Sequence, residues 1–275
     1  MPWKLVAGKE CWWITLFLMV HGCASDDATP ASSGTAQPET IAAPPQVVGN
    51  IPREPEPEPE PDPEPDSPPR TILASHVENA RDLGGVALGE NAKVASGLLF
   101  RGPPLSGLTE RGCADVSALG IRSVIDLRVE SEVSQRPDDA CVLSEAQLLA
   151  APLPVPYNVS AADYIAVLDA KDSIVRVFEA LGDEARYPIY FHCTWGRDRT
   201  GIVAAVVLLA LGATSDVIMD DYLVSDETVG AYPMSLRAAL EEIAGRGGIE
   251  AYLAAVGVSA QQLATLRSRA IEAAP

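Results

Sequence analysis

The stretch from Tyr187 to Leu211 constrains the fold of this chain more than any other. Tyr187-Pro188-Ile189-Tyr190-Phe191 is short, apolar and rich in aromatic and β-branched residues, which predicts a buried strand. Ile202 to Leu211 is apolar on every side, which predicts a helix buried all round. Between them lies His192-Cys193-Thr194-Trp195-Gly196-Arg197-Asp198-Arg199-Thr200-Gly201. A strand that passes through so tight a loop into a buried helix is a unit of α/β architecture. The loop opens with a cysteine and closes with an arginine six positions later. At a helix N-terminus Cys193 meets the positive end of the helix dipole and free N–H groups, and both favour thiolate over thiol. Arg199 adds a planar fork that can grip two oxygens of one anion. The backbone from Thr194 to Arg199 can curl into a concave row of donors. Gly196 supplies a position without Cβ where the wrap is tightest. The Thr200 hydroxyl can donate to the Cys193 sulfur. Such a volume suits a tetrahedral oxyanion, and a phosphate ester is the ligand that fits it.

The flanking sequence repeats the alternation of strand and helix. Residues 94–100, 123–127, 147–153 and 187–192 read as strands. Residues 109–119 read as a helix, with Thr109 as N-cap and Gly120 as stop. Further helices are expected over 160–181, 200–211, 215–224, 234–244, 249–255 and 260–273. The pattern predicts a three-layer α/β sandwich around a mainly parallel sheet, with the Cys193 loop at the carboxyl end of a central strand.

The loop resembles that of the cysteine-dependent tyrosine and dual-specificity phosphatases. Its Asp198-Arg199-Thr200-Gly201 ending is similar to a bacterial tyrosine and lipid phosphatase group, and to the myotubularin-type phosphoinositide phosphatases. Asn79-Ala80-Arg81-Asp82-Leu83-Gly84-Gly85 resembles the Asn-x-Arg-Asp-x-Gly-Gly signature of that group. Gly97-Leu98-Leu99-Phe100-Arg101-Gly102, Leu108-Thr109, Val124-Ile125-Asp126-Leu127-Arg128 and Asp220-Asp221-Tyr222-Leu223 follow in its order. The likeness covers residues 72–275. Two loop positions depart from it: Trp195 stands where the group has a small residue, and Arg197 where it often has lysine.

The resemblance implies a phosphomonoester hydrolase that works through a cysteinyl-phosphate, with no metal and no cofactor. Cys193 would be the nucleophile and Arg199 the phosphate clamp. Thr194, Trp195, Gly196, Arg197 and Thr200 would line the substrate site. Asp198 matches the position to which the group assigns the general acid. Asp82 is the second choice and Asp163 the third. Asp126 with Arg128 reads as structural support, and His192 as a partner of the loop backbone. Arg197 is either an extra cation for substrates with several phosphates, such as phosphoinositides, or a solvent-facing arginine. Arg81 or Arg101 would add to the local positive charge. Two other functions stay open: a membrane-tethered, non-catalytic phosphate-binding module, and a sulfur-transfer enzyme, against which Arg199-Thr200-Gly201 speaks because sulfane transfer needs no phosphate clamp.

The 275 residues leave room for one catalytic domain, expected at 71–275, and for appended segments. Lys4 and Lys9 precede the apolar run Trp12 to Val20, which is too short to span a bilayer and reads as a secretory signal over 1–22. Val20-His21-Gly22-Cys23 resembles a bacterial lipoprotein processing box. Cleavage there would leave a lipid-modified Cys23 and anchor an exported lipoprotein to a membrane of the cell envelope or surface. Residues 23–70 then form a linker in which prolines alternate with Glu and Asp. It cannot build a core and favours an extended polyproline II rod of about 3.1 Å per residue. The net charge of −18 argues against nucleic acid as a partner and predicts repulsion from anionic membrane surfaces. Phosphorylated proteins or phosphoinositides are the expected substrates. Cys113 and Cys141 are either a disulfide pair or two free thiols.

Overall fold

The structure is a computed structural model that describes residues 71–73 and 75–274. The expected signal segment over 1–22 and the whole linker over 23–70, with Cys23 and its lipid, lie outside the described residues. In chain order the elements are β1 (Arg81–Asp82), β2 (Ala92–Val94), β3 (Leu99–Gly102), α1 (Glu110–Ala118), β4 (Ser123–Asp126), α2 (Glu130–Gln135), α3 (Ala140–Leu143) and β5 (Gln147–Ala150). There follow α4 (Ala161–Leu168), α5 (Lys171–Leu181), β6 (Ile189–His192), α6 (Asp198–Leu211), α7 (Ser215–Leu223), α8 (Pro233–Gly245), α9 (Ile249–Val256), α10 (Ala260–Ala270) and β7 (Ile271–Ala273).

The central sheet has the order β1-β3-β6-β4-β5. β3, β6, β4 and β5 run parallel, and β1 joins the edge antiparallel. Alternate strand residues enter opposite layers, as the pleat dictates. Leu99, Ile125, Ile189 and Phe191 face a large apolar core with α4 to α10, whereas Phe100, Val124 and Tyr190 face a smaller one with Val116 of α1 and Val142 of α3. Helices on both faces of a mainly parallel sheet make the expected three-layer sandwich. The helix after the cysteine loop lies at its centre: of the fourteen α6 residues only Leu209 is not buried, and Gly212 closes it in the left-handed region at φ 103°.

Three expected elements differ from what forms. The strand read over 94–100 is split into β2 and β3 by a turn whose Gly97 has φ 75° and donates to Asp82. The helix read over 160–181 is two helices. Tyr252 donates to the Leu168 carbonyl and Arg246 pairs with Asp169 at 2.8 Å, so tertiary partners end α4 where periodicity alone would continue it. The helix read over 260–273 stops at Ala270, because Ile271–Ala273 pairs antiparallel with Ala92–Val94. Cys113 and Cys141 form a disulfide that staples α1 to α3.

Candidate active site

The cysteine loop leaves the carboxyl end of β6 and enters the N-terminus of α6. Cys193 is buried and is the free cysteine among the described residues. Gly196 has φ 68°, and a Cβ built on it would lie 2.4 Å from the carbonyl carbon of Gly102. Any side chain there would force the loop off β3.

The loop is braced from outside. Asn79 Nδ2 donates to the Trp195 carbonyl and Arg101 Nη2 to the Gly196 carbonyl, each at 2.9 Å. In a trans peptide the N–H lies opposite its carbonyl. Fixing those two oxygens outward therefore turns the Gly196 and Arg197 amides inward. The braces are themselves anchored. Arg81 Nη1 donates to Asn79 Oδ1 at 2.6 Å, and Ser225 Oγ donates to the same oxygen at 3.0 Å. Arg81 and Arg101 both reach the Asp221 carboxylate, at 3.2 and 2.6 Å, and all three side chains are about 1 % exposed. The Asn79–Gly85 signature and the α7 acid are thus one buried assembly behind the loop. Arg81 and Arg101, read from sequence as pocket cations, are instead compensated by Asp221.

Arg199 is gripped by a residue the sequence reading missed. Its Nη1 and Nη2 donate to the two Glu132 oxygens at 2.7 and 2.6 Å, and Nη2 also reaches Thr194 Oγ1 at 3.1 Å. Thr194 Oγ1 in turn donates to Glu132. Burial would raise the Glu132 carboxyl, but the hydrogen bonds from Arg199 and Thr194 and the Arg199 charge outweigh it and hold it at about 2. The signal in the sequence was an acidic first turn after β4, Glu130-Ser131-Glu132, but only the register of α2 selects the second glutamate. Arg199 Nε and Thr200 Oγ1 are buried and have no hydrogen-bond partner among the described residues, so the donation expected from Thr200 to the Cys193 sulfur does not form.

The three candidate acids are placed very differently. Asp198 opens α6 and accepts from Tyr164 Oη at 2.5 Å and from Arg197 Nε and Nη2 at 3.0 and 3.1 Å. Tyr164 is buried against Tyr222, their hydroxyls 2.7 Å apart. Burial, then the Asp198 carboxylate, pushes the Tyr164 phenol far above its ordinary value, so it serves Asp198 as a neutral donor. Asp82 fixes turns, accepting from the amides of Gly84 at 2.8 Å and Gly97 at 2.6 Å. Asp163 closes the capping box of α4 with Ser160, whose hydrogen bonds hold its carboxyl below the usual range.

Arg197 does not stand free as an extra phosphate ligand. Its fork lies on Asp198, its Nη1 donates to the Val229 carbonyl, and its guanidinium stacks 4.5 Å above the Tyr232 ring. Trp195 is 56 % exposed and lines a cleft beside the loop. Behind Cys193, Arg128 bridges Asp126 and Asp138 at 2.7 and 3.2 Å, and His192 Nε2 lies 3.3 Å from Asp138. Asp126, Asp138 and His192 are close enough to share a metal ion, but a guanidinium already holds the charge between the two carboxylates.

A cysteine and an arginine set in amides at a helix N-terminus match one protein family in the chain's own sequence. The model of the tyrosine phosphatase family matches residues 72–272. The chain belongs to the tyrosine phosphatase family. A Cupriavidus necator protein assigned as a tyrosine-protein phosphatase is 31% identical over 62% of this chain and 67% of its own length. The triple specificity protein phosphatase PtpB of Mycobacterium tuberculosis is 31% identical over 60% of this chain and 71% of its own. Among solved structures, the catalytic domain of the PP-IP phosphatase SIW14 from S. cerevisiae, in complex with citrate, covers 64% of this chain and 96% of its own at 14% identity and a TM-score of 0.40. This tyrosine phosphatase is therefore an enzyme, a hydrolase of phosphomonoesters.

Proposed function

We propose that this tyrosine phosphatase hydrolyses phosphotyrosine in proteins through Cys193. The observation that carries the reading is Arg199 Nε, a buried guanidinium donor with no hydrogen-bond partner among the described residues, in the loop that carries Cys193. Unmet buried donors cost free energy unless a ligand completes them. A phosphate oxygen completes Arg199 Nε.

In the first step the Cys193 thiolate attacks phosphorus while the ester P–O bond breaks. Arg199, aimed by Glu132, and the inward amides of Gly196 and Arg197 hold the equatorial oxygens as charge shifts. Asp198 gives its proton to the leaving oxygen. Asp82 and Asp163 are committed to backbone amides elsewhere; Asp198 adjoins Arg199 in the first turn of α6, and it acts once it has let go of the Arg197 fork and taken up a proton from solvent. In the second step Asp198 takes a proton from water, water oxygen bonds to phosphorus, and the S–P bond breaks to regenerate the thiolate. Trp195, at the mouth of the site, shapes the approach of the substrate.

The test is hydrolysis of p-nitrophenyl phosphate by the full-length protein beside Cys193→Ser. Phosphate release by the wild type alone is the expected result, and equal release by both removes the mechanism. Asp198→Asn should lose most activity on leaving groups of high pKa and little on those of low pKa. The same loss on both overturns the acid assignment.

Lipid attachment at Cys23, with residues 23–70 as a spacer, belongs to the same proposal. The charged prolyl repeat and the Val20–Cys23 box support it. Cys23→Ala should move the protein from the membrane to the soluble fraction.

A further inference from the structure

Asp198 is held from two sides, and the two holds respond differently to its proton. On one side the Arg197 fork lies along the carboxylate, Nε to Oδ1 at 3.0 Å and Nη2 to Oδ2 at 3.1 Å. On the other, Tyr164 of α4 donates to Oδ1 at 2.5 Å. Tyr164 and Tyr222 are both buried. Burial pushes both phenols above their ordinary value, so each keeps its proton. The direction of their bonds then follows by elimination. Tyr164 has one hydroxyl proton and gives it to Asp198, so the Tyr222 hydroxyl, 2.7 Å away, must donate to Tyr164. Tyr222 in turn accepts from the Tyr232 amide at 3.1 Å. A single file of donors therefore runs from the Tyr232 backbone through two phenols to Asp198 Oδ1. Gly201 makes room for it: a Cβ there would lie 2.7 Å from the Tyr222 ring.

Arg197 grips both oxygens and so holds Asp198 as the carboxylate. A proton on Oδ2 would face the Nη2 donor, so the fork has to open before Asp198 can act as an acid. The Tyr164 bond has no such conflict, because the carbonyl oxygen of a neutral carboxyl accepts as a carboxylate oxygen does. Resting on the reading of Asp198 as the general acid, we propose that Tyr164, backed by Tyr222, is the positioning residue that holds Asp198 in both protonation states and confines its proton to Oδ2. With the fork open, Tyr164 is the remaining side-chain hydrogen-bond partner of Asp198 among the described residues. Tyr164 cannot follow Arg197 away, since its helix packs on α6 and α8. A neutral donor, aligned by a second donor behind it, fixes the carboxyl without bringing another charge beside Arg199.

The test measures kcat/KM of the full-length protein on aryl phosphates whose leaving groups range from high to low pKa. It compares the wild type, Tyr164→Phe, Asp198→Asn and the double variant. Tyr164→Phe keeps the ring and removes the donated proton. Its loss should grow with leaving-group pKa and reach about ten-fold on the poorest one, as for a catalytic group left misplaced. In the Asp198→Asn background the same substitution should cost less than about two-fold, because the group it positions no longer gives a proton. A residue that only packs would lower turnover equally on every leaving group and add its full effect to that of Asp198→Asn. Either result overturns the proposal. A slope in Asp198→Asn without one in Tyr164→Phe sinks the positioning role alone. No slope in Asp198→Asn removes the acid assignment and the proposal with it. Tyr222→Phe is the second variant, and it decides the matter should Tyr164→Phe not fold. It leaves Tyr164 in place and takes away the donor behind it, so a smaller slope of the same sign is expected. A flat response there also overturns the proposal.

Discussion

Arg199 has a long side chain that would be free to wander, and one carboxylate removes that freedom. Glu132 accepts from both terminal nitrogens and leaves Nε without a partner among the described residues. Glu132→Gln removes the charge and one acceptor, so kcat/KM on p-nitrophenyl phosphate should fall about 10–100-fold, as for the loss of a group that orients another. The same residue makes stability depend on acid. Its carboxyl sits at about 2 in the folded protein against an ordinary 4.5, so folding is favoured by the ionised form. That contribution is fully present above pH ~4.5 and is lost as pH falls towards 2. Urea unfolding of the wild type should weaken over that window, and Glu132→Gln should flatten the acid limb. An identical limb in both proteins would contradict this coupling. The glutamate was hidden in the sequence because Glu130 and Glu132 look alike until the helix register turns one of them towards the loop.

At the scale of elements, the cysteine loop is held by three segments remote in sequence. β1 brings Arg81 with Asn79 just before it, β3 brings Arg101, and α7 brings Asp221. Their buried charges compensate one another, and Asn79 and Arg101 hold two loop carbonyls outward. Asp221→Asn leaves two buried guanidinium groups undercompensated and should cost about 3–5 kcal/mol in urea unfolding. Asn79→Ala should act differently. It releases the Trp195 carbonyl, so vanadate affinity should drop more sharply than stability does. The likeness of Asn79–Gly85 and Asp220–Leu223 to family signatures was visible in sequence, but not that the two segments touch, because 140 residues separate Arg81 from Asp221. The capped helix over Glu110–Ala118 and the strand Ser123–Asp126 formed as read, since Thr109 and the β-branched run act locally. The helix expected over 160–181 broke because Tyr252 and Arg246, far along the chain, satisfy its carbonyl and its cap.

For the molecule as a whole, the disulfide ties the layer of α1 and α3 together, and the β2–β7 pair ties the last described residues to the start of the domain. Cys113 and Cys141 are 28 residues apart, and closing a loop of that length stabilises by about 3–4 kcal/mol in the chain-entropy view. Reductant should therefore lower the wild-type melting temperature and leave that of a Cys113→Ser, Cys141→Ser double variant unmoved. The sequence by itself determined the layer order, the buried central helix and the place of Cys193 and Arg199, because these follow from apolar periodicity and from spacings within one loop. Tertiary structure alone decided which carboxylate aims Arg199, that Arg197 lies on Asp198, and that Arg81 and Arg101 brace the loop from behind. Those choices depend on the direction of long charged side chains, which burial and distant partners set and local pattern does not record.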